Sequence, residues 1–226
     1  MIYILSDLHG NLPRFDSILR QIRLRPEDTL YVLGDVIDRN PGGIRLLRRL
    51  MAMPNVKMLL GNHEYMMLRA LGHPKDAHVD DGRAMEHWFR NGGGVTLKHF
   101  KRLRRSVRKR IIDYLLSLPL AYDIRAEGVD YKLVHAAPKE LYDRDPRYPT
   151  PTHFAVWKRW DAADPSPEDY TLIFGHTPTR YYRDVSPMEV WFDKRRIGID
   201  CGCAYSSPGG RLACLRLDDG KIFYSE

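Results

Sequence analysis

The sequence predicts an α/β fold carrying a helical insertion, and three observations predict it. Five short apolar runs each stop at an Asp, Asn or His, residues 1 to about 70 alternate strand-like and helix-like patterns, and residues from about 71 to 118 read as helical. Strands of open α/β sheets deliver functional groups at their carboxyl ends, where loops converge on one crevice. The runs are "IYILSDLHG", which stops at Asp7 and His9, "YVLGDVIDRN", at Asp35, Asp38 and Arg39, and "VKMLLGNHE", at Asn62, His63 and Glu64. "YKLVHAAP" stops at His135 and "TLIFGHTP" at His176. One such tip alone reads as a solvated turn, because Gly-Asp is ordinary turn chemistry. Five tips bearing metal-ligand residue types point to a site.

The elements follow in order. After the strand "IYILS", a helix is expected near 13 to 24, with Pro13 in its first turn and Phe15, Ile18, Leu19 and Ile22 on one face. After the second strand, Pro41 is expected to open a helix with Ile44, Leu47 and Leu50 in register. A third strand and helix complete a βαβαβ half of a parallel or mixed sheet. The insertion breaks at "NGGG" (91 to 94). Beyond it, Phe100, Leu103, Val107 and Ile111 make one apolar stripe, so the basic side chains of a helix around 98 to 110 face water. Strands resume at about 120 to 135 and at 171 to 174, and the Pro/Asp-rich stretch 143 to 151 is a loop. The tail alternates and turns at Gly209-Gly210 and Asp219-Gly220, which reads as antiparallel hairpins. No repeat, low-complexity tract or linker divides the chain, so residues 1–226 read as one domain.

The formal charge of +7 is concentrated: residues 98 to 110 hold eight Lys/Arg and no Asp/Glu, which leaves the rest close to neutral. A nucleic-acid-binding module led by that segment is therefore the weakest reading, and no nucleic-acid partner is expected. The segment is expected to border the site because the insertion follows directly from "GNHE". The cysteines Cys201, Cys203 and Cys214 are too few for a structural zinc and suit a reducing, cytoplasmic setting. No run approaches the ~20 apolar residues of a membrane span, and "MIYILSDLHG" lacks the charged and long apolar regions of a secretion signal. Met51, Met53, Met58, Met66 and Met67 read as core, and His73, His78, His87, His99 and His153 as surface or helix-face residues.

Asp, Asn and His offer oxygen and imidazole ligands, which suit manganese, iron or zinc outside a closed structural site. Two Asp and three His, with an Asn carbonyl, exceed one four-coordinate ion and suit two, bridged by a carboxylate and a water. Such a pair leaves a cationic pocket that attracts and polarises a phosphoryl group.

The set "SDLHG", "GDVIDR", "GNHE", "VHAAP" and "GHTP", in this order, resembles the metallophosphoesterases, and within them the phosphoprotein phosphatases of bacteria and phages. The resemblance runs along nearly the whole chain and takes in "HWFRNGGGVTL" and "VWKRW". It implies a sandwich of two mixed β-sheets flanked by helices. It implies that Asp7, His9 and Asp35 hold one divalent metal, and that Asp35 bridges to a second completed by Asn62, His135 and His176. Manganese is expected, with iron or zinc as alternatives. It further implies that Arg39, Arg159 and Asn62 meet the substrate phosphate, that His63 protonates the leaving oxygen, and that Asp38 holds the His63 imidazolium and raises its pKa. Glu64 is expected to support the site without being a ligand. The activity implied is hydrolysis of phosphoserine and phosphothreonine in proteins, so the partner is a phosphorylated protein or a small phosphoester. The alternative is hydrolysis of symmetrical dinucleoside tetraphosphates, although retention of both Asp38 and Glu64 resembles the protein phosphatases more. Cys201 and Cys203 stand where bacterial relatives carry small or hydroxyl residues, which makes them candidates for oxidation. The tail lacks the longer elements of the eukaryotic phosphatases, so their regulatory subunits are not expected as partners.

Overall fold

In the computed structural model, which describes residues 1–76, 82–183, 185–186, 188–205 and 209–226, the strands among the described residues form two five-stranded mixed sheets. The first contains parallel β1 (Ile2–Leu5), β2 (Thr29–Val32) and β3 (Val56–Met58). The second contains the hairpin β4 (Ala121–Ala126) and β5 (Val129–Val134), then β6 (Thr171–Phe174), and the hairpin β7 (Trp191–Asp193) and β8 (Arg196–Gly198). β9 (Ala213–Arg216) and β10 (Ile222–Tyr224) return to the first sheet, whose order is β10-β9-β1-β2-β3. The second sheet has the order β4-β5-β6-β8-β7, with β5, β6 and β8 parallel.

Side-chain alternation explains why the sheets stack. On β1, Ile4 points into a cluster shared with Leu133, Ile173 and Ile197 of the other sheet. Its neighbours Tyr3 and Leu5 join the opposite cluster, with Phe15 and Ile18 of α1 (Leu12–Ile22), Leu47 of α2 (Gly43–Met51) and Met67 of α3 (Asn62–Ala70). The outer face of the second sheet packs Val134, Leu172 and Phe174 against Phe154 of α7 (Pro151–Trp157). Three helices fill the insertion: α4 (Ala84–Arg90), α5 (Gly93–Lys101) and α6 (Arg105–Ser117).

Several expectations are corrected. Pro41 does not open α2, which begins two residues later, because the preceding turn is committed elsewhere: Asn40 donates its backbone amide to the His9 carbonyl at 3.3 Å. The apolar stripe from Phe100 to Ile111 belongs to two helices, since Arg104 is extended (φ −58°, ψ 147°). α5 packs on α2 and α6 on α3, which a straight helix through residue 104 would not allow. Gly209-Gly210 turns no hairpin; the chain there passes from β8 in one sheet to β9 in the other. Met58, Met66 and Met67 are buried, and Met51 and Met53 pack partly buried against the same core. His78 lies outside the described residues.

Candidate active site

All five predicted tips lie at carboxyl ends of parallel strands: those of β1, β2 and β3 from one sheet, and those of β5 and β6 from the other. Backbone hydrogen bonds stitch the first two tips together. The amides of Asp7, His9 and Gly10 donate to the carbonyls of Gly34, Asp35 and Val36 at 3.2, 2.9 and 2.7 Å. To turn so tightly, Asp7, His9, Asp35, Asp38, Arg39 and His176 all take left-handed backbone, with φ between 43° and 71°. Gly34 (φ 97°) lets the β2 tip approach its neighbours: a Cβ there would stand 2.6 Å from the Gly61 Cα and 3.0 Å from the His135 Nδ1.

The cluster centres on Asp35. Its Oδ2 lies 3.8 Å from His9 Nε2 and 3.8 Å from His63 Nε2, and its Oδ1 lies 3.5 Å from His135 Nε2. Asp7 Oδ1 is 3.9 Å from His9 Nε2, while Asp7 Oδ2 accepts the Ser6 hydroxyl at 2.5 Å and the His176 amide at 3.0 Å. Asn62 Oδ1 sits 2.9 Å from His135 Nε2 and 2.8 Å from His176 Nδ1. The donor atoms form two groups of possible metal ligands, His9/Asp35/His63 and Asp35/His135/His176, with Asp35 common to both.

The chemistry of this donor set fits cations. The outer nitrogens of His9, His135 and His176 face the carbonyls of Ile37, Leu33 and Trp157 at 3.2, 2.7 and 3.2 Å. A carbonyl fixes the proton on the ring nitrogen facing it, so each inner nitrogen presents a lone pair. Burial also lowers the pKa of all three imidazoles, which keeps them neutral as ligation requires. At Asn62, then, two nitrogen lone pairs and an amide oxygen face one another within hydrogen-bond distance and without a proton between them. A cation resolves that arrangement. Burial, and next the charges of Asp7 and Glu64, raise the Asp35 pKa, so positive charge nearby would relieve this carboxylate too.

Glu64, on the first turn of α3, is fully buried and makes a backbone clamp. Its carboxylate accepts the amides of Gly61 at 3.1 Å, Asp35 at 2.9 Å, Val36 at 2.9 Å and Ile37 at 3.3 Å. The α3 terminus also donates the His63 amide to Asp35 Oδ1 at 2.9 Å. His63 Nδ1 lies 2.7 Å from Asp38 Oδ2, an oxygen that also accepts the Trp88 indole N–H at 2.8 Å. Asp38 is fixed again by its own amide, which donates to the Thr96 hydroxyl at 3.0 Å. The expectation that Asp38 raises the His63 pKa is corrected. Burial, followed by the Arg39 charge, pulls His63 well down, and burial pushes Asp38 up to about 7. Both members are driven toward their neutral forms.

The phosphate-facing candidates lie at the rim. Arg39 is exposed, with Nη2 3.3 Å from His63 Nε2. Arg159 is exposed and stands over the Tyr181 ring at 5.8 Å. Lys158 and Arg147, the neighbouring cations, are tied to Asp164 and Asp145 at 2.9 and 2.5 Å. The basic segment fares differently. Its upstream flank meets the site, where the Gly92 carbonyl accepts the Arg39 amide at 3.3 Å. Arg105, Arg108 and Lys109 instead line a groove of about 830 Å³ with Leu71, Phe100, Ile112 and Leu116, and no predicted site residue lines it.

Two supports, both within "HWFRNGGGVTL", were given no role by the sequence, and one carboxylate was not singled out at all. Trp88 and Thr96, which hold Asp38, come from the insertion, and nothing in their spacing reveals the contact. Asp200, at the tip of β8, is buried, and burial followed by the Asp7 charge raises its pKa. In "RRIGIDCG" the run also stops at Asp, but no Gly precedes it and Cys201 follows, so the signal is weaker than at the other tips. Cys201, Cys203 and Cys214 are free and buried. Burial pushes the Cys203 thiol up to about 12, the opposite of what oxidation favours.

Comparison with known proteins agrees with this geometry. The chain is similar to a protein of Erwinia tasmaniensis described as symmetrical bis(5'-nucleosyl)-tetraphosphatase, at 23% identity over 98% of this chain and 95% of that one. A protein of Paracidovorax citrulli with the same description is 27% identical over 93% of this chain and 69% of its own. Among solved structures, a candidate diadenosine tetraphosphatase superposes with a TM-score of 0.62 at 20% identity, over 99% of this chain and 91% of that one. A Saccharomyces cerevisiae protein serine/threonine phosphatase gives 0.59 at 17% identity, over 100% and 79% of the two chains. The family pattern described as calcineurin-like phosphoesterase matches residues 1–201, and the chain, with its buried His/Asp cluster at the strand ends of two mixed sheets, belongs to that family.

Proposed function

We propose that this chain is a symmetrical dinucleoside tetraphosphatase, splitting its substrate with one water into two nucleoside diphosphates. The observation that carries the phosphoester chemistry is the pair of ligand groups sharing Asp35. The substrate class is supported by the descriptions of the relatives aligned along nearly the whole chain. This reading takes the place of the protein-phosphatase expectation, which resemblance alone suggested; Asp38 and Glu64 support the site under either substrate.

Asp7, His9 and Asp35 would hold one divalent ion, and Asp35, Asn62, His135 and His176 a second, with manganese proposed and iron or zinc as alternatives. Ions there would supply positive charge for the phosphoryl group and lower the pKa of a water. The remaining roles belong to side chains. Arg39 offers two parallel N–H groups to phosphate oxygens at the rim, and Arg159 offers a second guanidinium. Asn62 meets the phosphate from the cluster itself. His63 delivers a proton to the leaving oxygen, with Asp38 fixing its ring through Nδ1.

Incubating the manganese-loaded chain with diadenosine tetraphosphate, with phosphoserine peptides in parallel, tests the reading by chromatography of the products. ADP as the sole nucleotide product, formed faster than peptide phosphate, is expected. AMP with ATP, or turnover of the peptides alone, would overturn it.

A further inference from the structure

Immediately after His176 the chain makes a single 3₁₀ turn, Thr179–Tyr181, whose first residue is fully buried and donates its amide to the Asp200 carbonyl at 2.9 Å. The turn is thereby fastened to the tip of β8. Its last side chain, Tyr181, is nevertheless 58% exposed, more than the other exposed aromatics Phe192 and Phe89. Two guanidiniums lie near that ring: the Arg159 Cζ is 5.8 Å and the Arg180 Cζ 5.2 Å from its centroid. Arg180 also stands 4.6 Å from the Tyr205 ring and donates to the phenol oxygens of Tyr181 and Tyr205 at 3.4 Å each. Tyr205 is anchored through its backbone, its amide donating to the Gly202 carbonyl at 2.9 Å and its carbonyl accepting from Arg14 at 3.2 Å.

This ladder of rings and guanidiniums begins at the ligand cluster. Arg159 is close enough to His176 and Asp200 for its charge to act on both. From there the ladder runs outward over solvent, built on backbone that is held in place. An exposed ring gains little from burial, so hydrophobic packing does not account for Tyr181. Its form matches a ligand that is flat at one end and anionic at the other. Aromatic and guanidinium planes stack on any nucleobase, because every base has a π face, and the same guanidiniums attract phosphates.

We propose that Tyr181, Arg180 and Tyr205 form a nucleobase-stacking ledge, which holds the nucleoside of a substrate whose phosphates reach the His/Asp cluster past Arg159. The ledge rests on the tetraphosphatase reading in taking that substrate to carry a base. Stacking contacts without edge-on hydrogen bonds tolerate different bases, so adenine and guanine are expected to serve alike.

Titration calorimetry of the manganese-loaded chain with AMP and with ribose 5-phosphate isolates the base, since the two ligands share sugar and phosphate. AMP is expected to bind at least about fivefold more tightly, the lower end of what one stacked base contributes. Tyr181→Ala should abolish that advantage while leaving ribose 5-phosphate affinity within about twofold, and Tyr181→Phe, which keeps the aromatic face, should retain it. Because Tyr181 is exposed, circular dichroism should show both variants folded. Equal affinities for the two ligands in the unmodified chain, or an undiminished AMP advantage in Tyr181→Ala, would overturn the ledge. AMP binding that depends on Tyr181 in a chain that leaves diadenosine tetraphosphate intact supports the ledge and overturns only the tetraphosphatase reading.

Discussion

Glu64 is not counted among the metal ligands, yet four backbone amides converge on its carboxylate, three of them from the turn that carries Asp35. That turn is strained, with Asp35, Asp38 and Arg39 all at positive φ, a conformation that persists only when its surroundings dictate it. Glu64→Ala leaves four buried donors unmet, at about 1–3 kcal/mol for each that water fails to reach. A loss of more than about 3 kcal/mol in urea unfolding is therefore expected, with weaker manganese binding; a loss below about 1 kcal/mol would show that the clamp is redundant. His63→Asn removes a proton donor without touching the proposed ligands. It should lower kcat by about 10²–10⁴-fold for an alkyl phosphate, whose leaving oxygen needs a proton. Aryl phosphates and phosphoanhydrides leave more readily and should lose less, so equal losses across such a series would remove His63 from that role.

The helix α3 shows how one short element organises a site: its first three residues are Asn62, His63 and Glu64, and its terminus faces Asp35. The insertion adds a second layer through Trp88, Thr96 and Gly92, and α7 adds a third through the His153 and Trp157 rings, stacked at 5.9 Å. Burial there holds the His153 pKa at about 4, against an ordinary 6.5. The unfolded ring takes a proton near 6.5 and the folded ring only near 4, so acid favours unfolding across that interval and stability is complete only above it. His153→Phe keeps a ring on Trp157 and removes the titration. Its urea midpoint should fall less steeply than that of the parent between pH 6.5 and 4, and parallel profiles would contradict the assignment. Elements of this kind were legible where the signal is local. An apolar run that stops at Asp or His within nine residues reveals both the strand and its tip, and Pro13 with Phe15, Ile18 and Ile22 reveals α1. The break at Arg104 was not legible, because it follows from α5 and α6 packing on different helices. Asp200 went unread for a related reason: "RRIGID" looked like part of a terminal meander, and only its parallel pairing with β6 makes its end a tip.

Two sheets packed through Ile4, Leu133 and Ile173 bring the carboxyl ends of six strands together, three from each sheet. Neither sheet alone could assemble the cluster: Asp7, His9, Asp35 and Asn62 come from one, and His135 and His176 from the other. This convergence is why ligand types scattered from Asp7 to His176 could be read as one site before their distances were known. The strand order could not be read in the same way, since which strands pair is decided by contacts between residues far apart in sequence, such as Leu5 with Cys214. The arrangement also makes Asp35 the one carboxylate common to both ligand groups, so substituting it should affect two ions at once. Manganese titration of metal-free protein, with stoichiometry read by calorimetry for the parent chain and for Asp35→Asn, measures this directly. The parent should bind two equivalents, and Asp35→Asn should lose affinity for both. A parent that binds one equivalent, or an Asp35→Asn variant that binds two with unchanged affinity, would contradict it.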